Sequence, residues 1–198
     1  MGDNPTATAL YEEALAIQQT LGDRLAATGL LRNLGNCAYA QQARDRAAAI
    51  YQECLETYRE LGDKLGVLML TNDLGNVAAV QGDYARASQL YGQSLTQACE
   101  LGSKWCIAWG LESLARVATH QQSFARAAYL FAGAKQLFQM TAVRLRQADL
   151  VEYERLLATV RTQLGDEQFH ACWAQGQTAS WEQAVAFALA QDSETVGQ

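Results

Sequence analysis

Three residues spaced 40 apart could act together as a row of hydrogen-bonding side chains: Asn36, Asn76 and Arg116. Around them, one helical turn away or two, stand Arg32 and Tyr39, then Met69, Asn72 and Val80, then Trp109, Glu112 and His120. Amide and guanidinium groups in such a row can hydrogen-bond the main chain of an extended peptide, while intervening side chains form pockets for its residues. The competing expectation is a plain solvated helix face. Catalytic chemistry needs other arrangements, and these are missing. His120 and His170 are the only histidines and lie in different segments. No nucleophile–base pair, paired carboxylate or metal-ligand spacing can be assembled. Gly102-Ser103-Lys104 lacks the frame of a phosphate loop. The sequence therefore reads as non-enzymatic, with no cofactor and no metal. Trp105 and Trp109, one helical turn apart, could anchor a ligand, but aromatic pairs of this kind are more often core. Glu12-Glu13 and Glu152/Glu154 read as solvated carboxylates.

These residues need elements to hold them, and the elements repeat. Leu10-Tyr11 recurs as Ile50-Tyr51, Leu90-Tyr91 and Leu130-Phe131. Leu21-Gly22-Asp23 recurs as Leu61-Gly62-Asp63 and Leu101-Gly102-Ser103, and Asn33-Leu34-Gly35-Asn36 as Asp73-Leu74-Gly75-Asn76. Arg46-Ala47 recurs as Arg86-Ala87 and Arg126-Ala127. Each 40-residue unit predicts two helices. In 63–101, Asp63 caps the first, apolar residues follow at helical spacing, Gly82 ends it, and a second runs from Tyr84 to the Leu101-Gly102 stop. Gly35, Gly75 and Ala115 fall inside helices, where glycine costs ~1 kcal/mol against alanine. Their recurrence implies close packing of the partner helix, with Ala47, Ala87 and Ala127 at the meeting point and Tyr51, Tyr91 and Phe131 between successive pairs. One pair cannot bury its apolar face alone, so the pairs must stack.

Past residue 140 the register slips. A long helix is expected over 142–164, a short one over 166–175, and a last one over 181–190 opened by a Ser180–Gln183 capping box. These helices would cap the array, leaving a frayed tail. The reading is one all-α domain over 1–198: repeats at 6–140, capping helices at 141–191 and tail at 192–198.

Leu74-Gly75, Ala78, Gly82, Tyr84, Ala87 and Tyr91 resemble the small-and-large pattern of the tetratricopeptide repeat, whose usual length is 34 residues. The resemblance implies an α-α superhelix whose first helices line a concave face, which is where the asparagine row would lie. The run Tyr153-Glu154-Arg155, Leu164-Gly165-Asp166-Glu167-Gln168-Phe169, Trp173-Ala174-Gln175-Gly176 and Ser180–Leu189 is similar to the C-terminus of LuxR-type and other STAND-class bacterial regulators. That likeness implies the sensor region of a signalling or transcriptional regulator that binds a protein or peptide. A carboxylate-gripping face of the cochaperone type is not expected: Arg32 and Asn36 would suit it, but Asp73 would repel the ligand, and Trp109 and Ser113 stand where cations are needed.

Composition bounds the rest. The net charge is -6, and lysine occurs only at Lys64, Lys104 and Lys135, so no basic stripe for nucleic acid exists. No apolar run approaches the ~20 residues of a membrane span. The five cysteines lack C-x-x-C spacing and read as small buried hydrophobes in a reducing cytoplasm. Helix 6–21 has no preceding partner, so Leu10, Tyr11, Ala14 and Ile17 would be under-covered. A free-standing scaffold that forms homo-oligomers through this helix is the alternative function.

Overall fold

The computed structural model describes residues 4–141 and 147–190, and the described residues are helical apart from short connections. The helices are α1 (Asn4–Leu21), α2 (Arg24–Ala40), α3 (Arg44–Leu61), α4 (Lys64–Val80), α5 (Tyr84–Glu100), α6 (Lys104–His120), α7 (Phe124–Met140), α8 (Gln147–Leu164), α9 (Asp166–Thr178) and α10 (Trp181–Leu189). The all-α, paired-helix architecture is the one that the 40-residue repeat predicts. The chain groups into two compact units, residues 1–90 and 91–198, with the division inside α5.

The turns follow from their residues. Gly22, Gly62 and Gly102 take the left-handed conformation, with φ of 73°, 70° and 64°. The next residue then caps the following helix: Asp23 accepts from the Ala26 N–H, Asp63 from Gly66 and Ser103 from Cys106. A stop glycine and a start cap side by side reverse the chain in two residues. The turn inside each pair behaves differently. Gly82 is left-handed there, but the equivalent residues in the neighbouring repeats are Gln42 and Gln122, at φ of 63° and 62°. A side chain in that conformation is strained by about 1 kcal/mol.

In the first unit, α2, α3 and α4 share a core of Ala38, Ala47, Tyr51, Cys54, Leu55, Tyr58, Leu70, Leu74 and Val77. The helices approach closely where glycines stand. A Cβ on Gly35 would lie 2.6 Å from the Tyr51 ring, and one on Gly66 would lie 2.5 Å from the Tyr58 ring. The contact that compensates the mid-helix glycine is thus the Tyr51 ring within the α2–α3 pair. Tyr51 also shares the core with Leu70, Leu74 and Val77 of α4, in line with its expected place between successive pairs; what differs is that Tyr51, and not Ala47, fills the gap at Gly35. Helix α1 packs on α2. Its other face leaves Leu10, Ile17 and Leu21 at 60%, 53% and 71% exposure.

In the second unit, α6 and α7 pack around Ile107, Leu111, Leu130, Phe131 and Leu137, all fully buried. Leu156 and Val160 of α8 join the interior. Helix α9 lies against α7 so closely that a Cβ on Gly176 would collide with the Tyr129 carbonyl. The Ser180–Gln183 capping box forms in both directions at the start of α10. Arg126 of α7 donates to the Ala188 and Ala190 carbonyls at the other end of α10. Helix α9 extends three residues beyond the expected Gln175. The expected start of α8 at residue 142 and the tail beyond residue 190 lie outside the described residues.

Relieving the left-handed strain gives a test. Gln42→Gly and Gln122→Gly are each expected to stabilise the fold by about 0.5 kcal/mol, since ~1 kcal/mol of strain outweighs the extra flexibility glycine gives the unfolded chain. Urea denaturation checks this, and Gly82→Gln should shift the midpoint the opposite way.

Candidate functional site

The two units place the candidate side chains in different surroundings. On α2, Gly35, Cys37 and Ala38 are buried, and Arg32, Asn36 and Tyr39 form the strip beside the core at spacings of four and three, with Tyr39 packed against it. Asn36 is exposed; Arg32 and Tyr39 are half-buried. On α4, Thr71, Leu74, Gly75, Val77 and Ala78 are buried, which leaves Met69, Asn72 and Asn76 half-buried and Val80 exposed.

Four polar contacts organise this face. The Arg32 Nε donates to the Asp73 carboxylate at 2.7 Å, and an Arg32 terminal nitrogen lies 3.7 Å from the Met69 sulfur. The Tyr51 hydroxyl donates to Asn36 Oδ1 at 2.8 Å. The Tyr39 hydroxyl reaches the Asn76 carbonyl at 3.5 Å. Burial pushes the Asp73 carboxyl above its usual range, and this outweighs the pull of the Arg32 charge. Burial also pushes the Tyr51 phenol well up, so it stays a protonated donor. Arg32 is therefore already paired with a carboxylate of its own chain. Sequence reading identified Asp73 as repulsive to an acidic ligand but missed the ion pair. The signal available was the spacing: residues 41 apart lie one position off the repeat, on adjacent first helices.

In the second unit the equivalent helix, α6, is largely enclosed. Glu112 is 5% exposed, and Trp109 and Arg116 are half-buried. The Trp109 ring meets Phe138 edge-on at 5.2 Å. Arg116 Nε lies 4.0 Å from the Glu112 carboxylate. Tyr153 of α8 is buried, and burial, with the Glu112 charge added, raises its phenol pKa. Glu112 and Tyr153 are again 41 residues apart, but the buried Tyr153 hydroxyl has no hydrogen-bond partner among the described residues, so the spacing recurs without the pairing seen between Arg32 and Asp73. His120 is the last residue of α6; burial and then the Arg116 charge lower its pKa, against an opposing pull from Glu152. Glu152 is held in two hydrogen bonds by Arg155, both 2.8 Å, and its pKa falls for that reason first. It is thus paired, where a solvated carboxylate was expected.

Other expectations are also revised. Trp105 is 37% exposed, so the Trp105–Trp109 pair is not a core pair. Cys37, Cys54 and Cys106 are buried, but Cys99 and Cys172 are only half-buried. Among the described residues no three His, Cys, Asp or Glu side chains are grouped as a metal site requires. No described helix is long and apolar enough to cross a membrane.

Comparison with known proteins supports the fold reading. A tetratricopeptide repeat profile matches residues 26–100. These residues are tetratricopeptide-type helix pairs. The chain is similar in structure to BtubC (BKLC) from P. vanneervenii, with a TM-score of 0.67 and 22% identity over 89% of this chain and 72% of that one. That likeness is one of fold. No curated protein matches the chain significantly. Repeats of this kind make protein-interaction modules.

The Arg32–Asp73 pair gives a prediction with two parts. Arg32→Ala strands a buried carboxylate and should lower stability by about 3 kcal/mol. Asp73 binds its proton more tightly in the fold than in the unfolded chain, so its contribution to stability grows as pH falls through its raised pKa. The margin of the wild type over Asp73→Asn should therefore narrow as pH rises from about 4 toward neutrality. Denaturant titrations across that range read both effects.

Proposed function

We propose that this chain is a non-enzymatic binding module for a protein or peptide, and that it binds through the exposed side of its first helices. The observation that carries this is the α2–α4 face. Asn36 is exposed and Asn72 and Asn76 are half-buried, while their helix neighbours Gly35, Thr71, Leu74 and Gly75 are buried, so the three amides lie along the border of a well-packed support. Rigid support lowers the ordering cost of binding an extended segment. The role as sensor region of a bacterial signalling or transcriptional regulator rests on the C-terminal resemblance alone. Two residues of that signature have structural duties in this chain: Gly176 lets α9 approach α7, and Ser180 caps α10.

The α1 face favours a second reading, a scaffold that self-associates. Leu10, Ile17 and Leu21 follow one another at spacings of seven and four, which places them on one stripe. Three large exposed apolar side chains on one stripe make a patch of the kind that marks interfaces.

The first reading predicts that peptides selected from a displayed library bind the wild type and lose about tenfold or more in affinity to Asn36→Ala/Asn76→Ala, at two lost hydrogen bonds of ~1 kcal/mol each. Because Asn36→Ala takes the acceptor from the buried Tyr51 hydroxyl, the variant should melt lower than the wild type but still unfold cooperatively, and Asn76→Ala alone serves as the control for that loss. Equal affinity for both proteins would sink the proposed face. The second reading predicts concentration-dependent mass in light scattering, abolished in Leu10→Glu/Ile17→Glu; a strict monomer at all concentrations excludes it.

A further inference from the structure

Of Arg32, Asn36, Tyr39, Asn72 and Asn76, only Arg32 carries charge, and that charge is met by Asp73 at 2.7 Å. The pair is well shielded, with 20% and 13% of the two side chains exposed. An incoming carboxylate would have to displace Asp73 from the guanidinium and leave it as a bare anion beside the ligand. Both steps oppose binding.

Asn36 adds a second constraint. Its Oδ1 is taken by the Tyr51 hydroxyl, which is fixed because the Tyr51 ring is wedged against Gly35. Tyr51 is 2% exposed and cannot turn away. With its oxygen held inward, Asn36 turns its amide N–H donors outward. The face thus offers donors, which call for acceptors, and carries a built-in anion, which rejects negative ones.

We infer that Asp73 sets the specificity of the α2–α4 face: it keeps carboxylates off Arg32, so that the face accepts neutral carbonyl acceptors, those of a peptide main chain or of Asn and Gln side chains, in preference to acidic groups. The inference rests on the peptide-binding reading above and names the ligand chemistry of that same face. Tyr51 acts as a positioning residue for Asn36. Within the repeat, Asn33 holds the position equivalent to Asp73, so an uncharged residue suits the helix there.

A matched pair of probes tests this on the full-length, isotope-labelled chain: N-acetylglycinate, an anion, and N-acetylglycine methylamide, its neutral counterpart. The side-chain NMR signals of Arg32 Nε–H and Asn36 Nδ2–H2 report binding. In the wild type the neutral probe should shift Asn36, while the anion leaves Arg32 in place. In Asp73→Asn the anion should shift Arg32 saturably, with at least tenfold greater response than in the wild type. If Asp73→Asn fails to fold, Asp73→Ser takes its place, since the third repeat carries Ser113 at this position. A wild-type Arg32 that responds to the anion as strongly as the variant overturns the inference, and so does a variant as unresponsive as the wild type. A silent neutral probe together with the expected anion pattern leaves the filter standing and counts against the peptide-binding reading. Tyr51→Phe should weaken the neutral probe's effect on Asn36 while Arg32 remains unresponsive to the anion, an outcome that general loss of structure would not produce.

Discussion

The first unit depends on a tyrosine ring lying where a Cβ is missing. Tyr51 sits over Gly35 and Tyr58 over Gly66, and in both places the ring occupies the volume that any larger residue would claim. The exchange is favourable because a buried aromatic ring contributes on the order of 2–3 kcal/mol of transfer free energy, against ~1 kcal/mol lost by a helical glycine. It also fixes how near α3 comes to α2 and α4. Everything on the outer face inherits that spacing. Tyr51 joins the two levels directly: its ring is core, and its hydroxyl reaches through to orient Asn36.

This arrangement explains which parts of the molecule could be read from sequence. Repetition exposed the helix pairs, because Gly62-Asp63 and its equivalents encode a stop and a start that act locally. The capping box at Ser180 was readable for the same reason. Gln42 and Gln122 were harder, since their left-handed backbone carries no glycine signal, and only alignment with Gly82 hints at it. The partner of Gly35 was misassigned because periodicity tells which residues face inward but not which one fills a given gap. Tyr51 and Ala47 both face α2, and only volume decides between them.

The candidate face was legible as positions and not as chemistry. Asn36, Asn76 and Arg116 share a register, yet Asn36 is exposed, Asn76 half-buried and Arg116 close to the carboxylate of Glu112. A 40-residue repeat predicts equivalent backbone positions. It does not predict what the following helix lays over them. In the second unit α8 brings Tyr153 near Glu112 and Glu152 near His120, and the register slip after residue 140 hid that neighbourhood.

The offset of 41 residues carries a general point about stacked pairs. It links one first helix to the next at a place where both side chains are shielded, so polar residues there gain from satisfying one another, although the buried Tyr153 hydroxyl finds no hydrogen-bond partner among the described residues. Arg32 and Asp73 do so as an ion pair. Such a pair is a poor source of stability compared with apolar residues of similar volume, because desolvation consumes most of the attraction. Its burial already shows in the raised Asp73 pKa, which would fall if pairing dominated. A costly pair beside the exposed Asn36 is more readily understood as controlling what the α2–α4 face admits than as holding the helices together, since Tyr51 and Tyr58 hold them already.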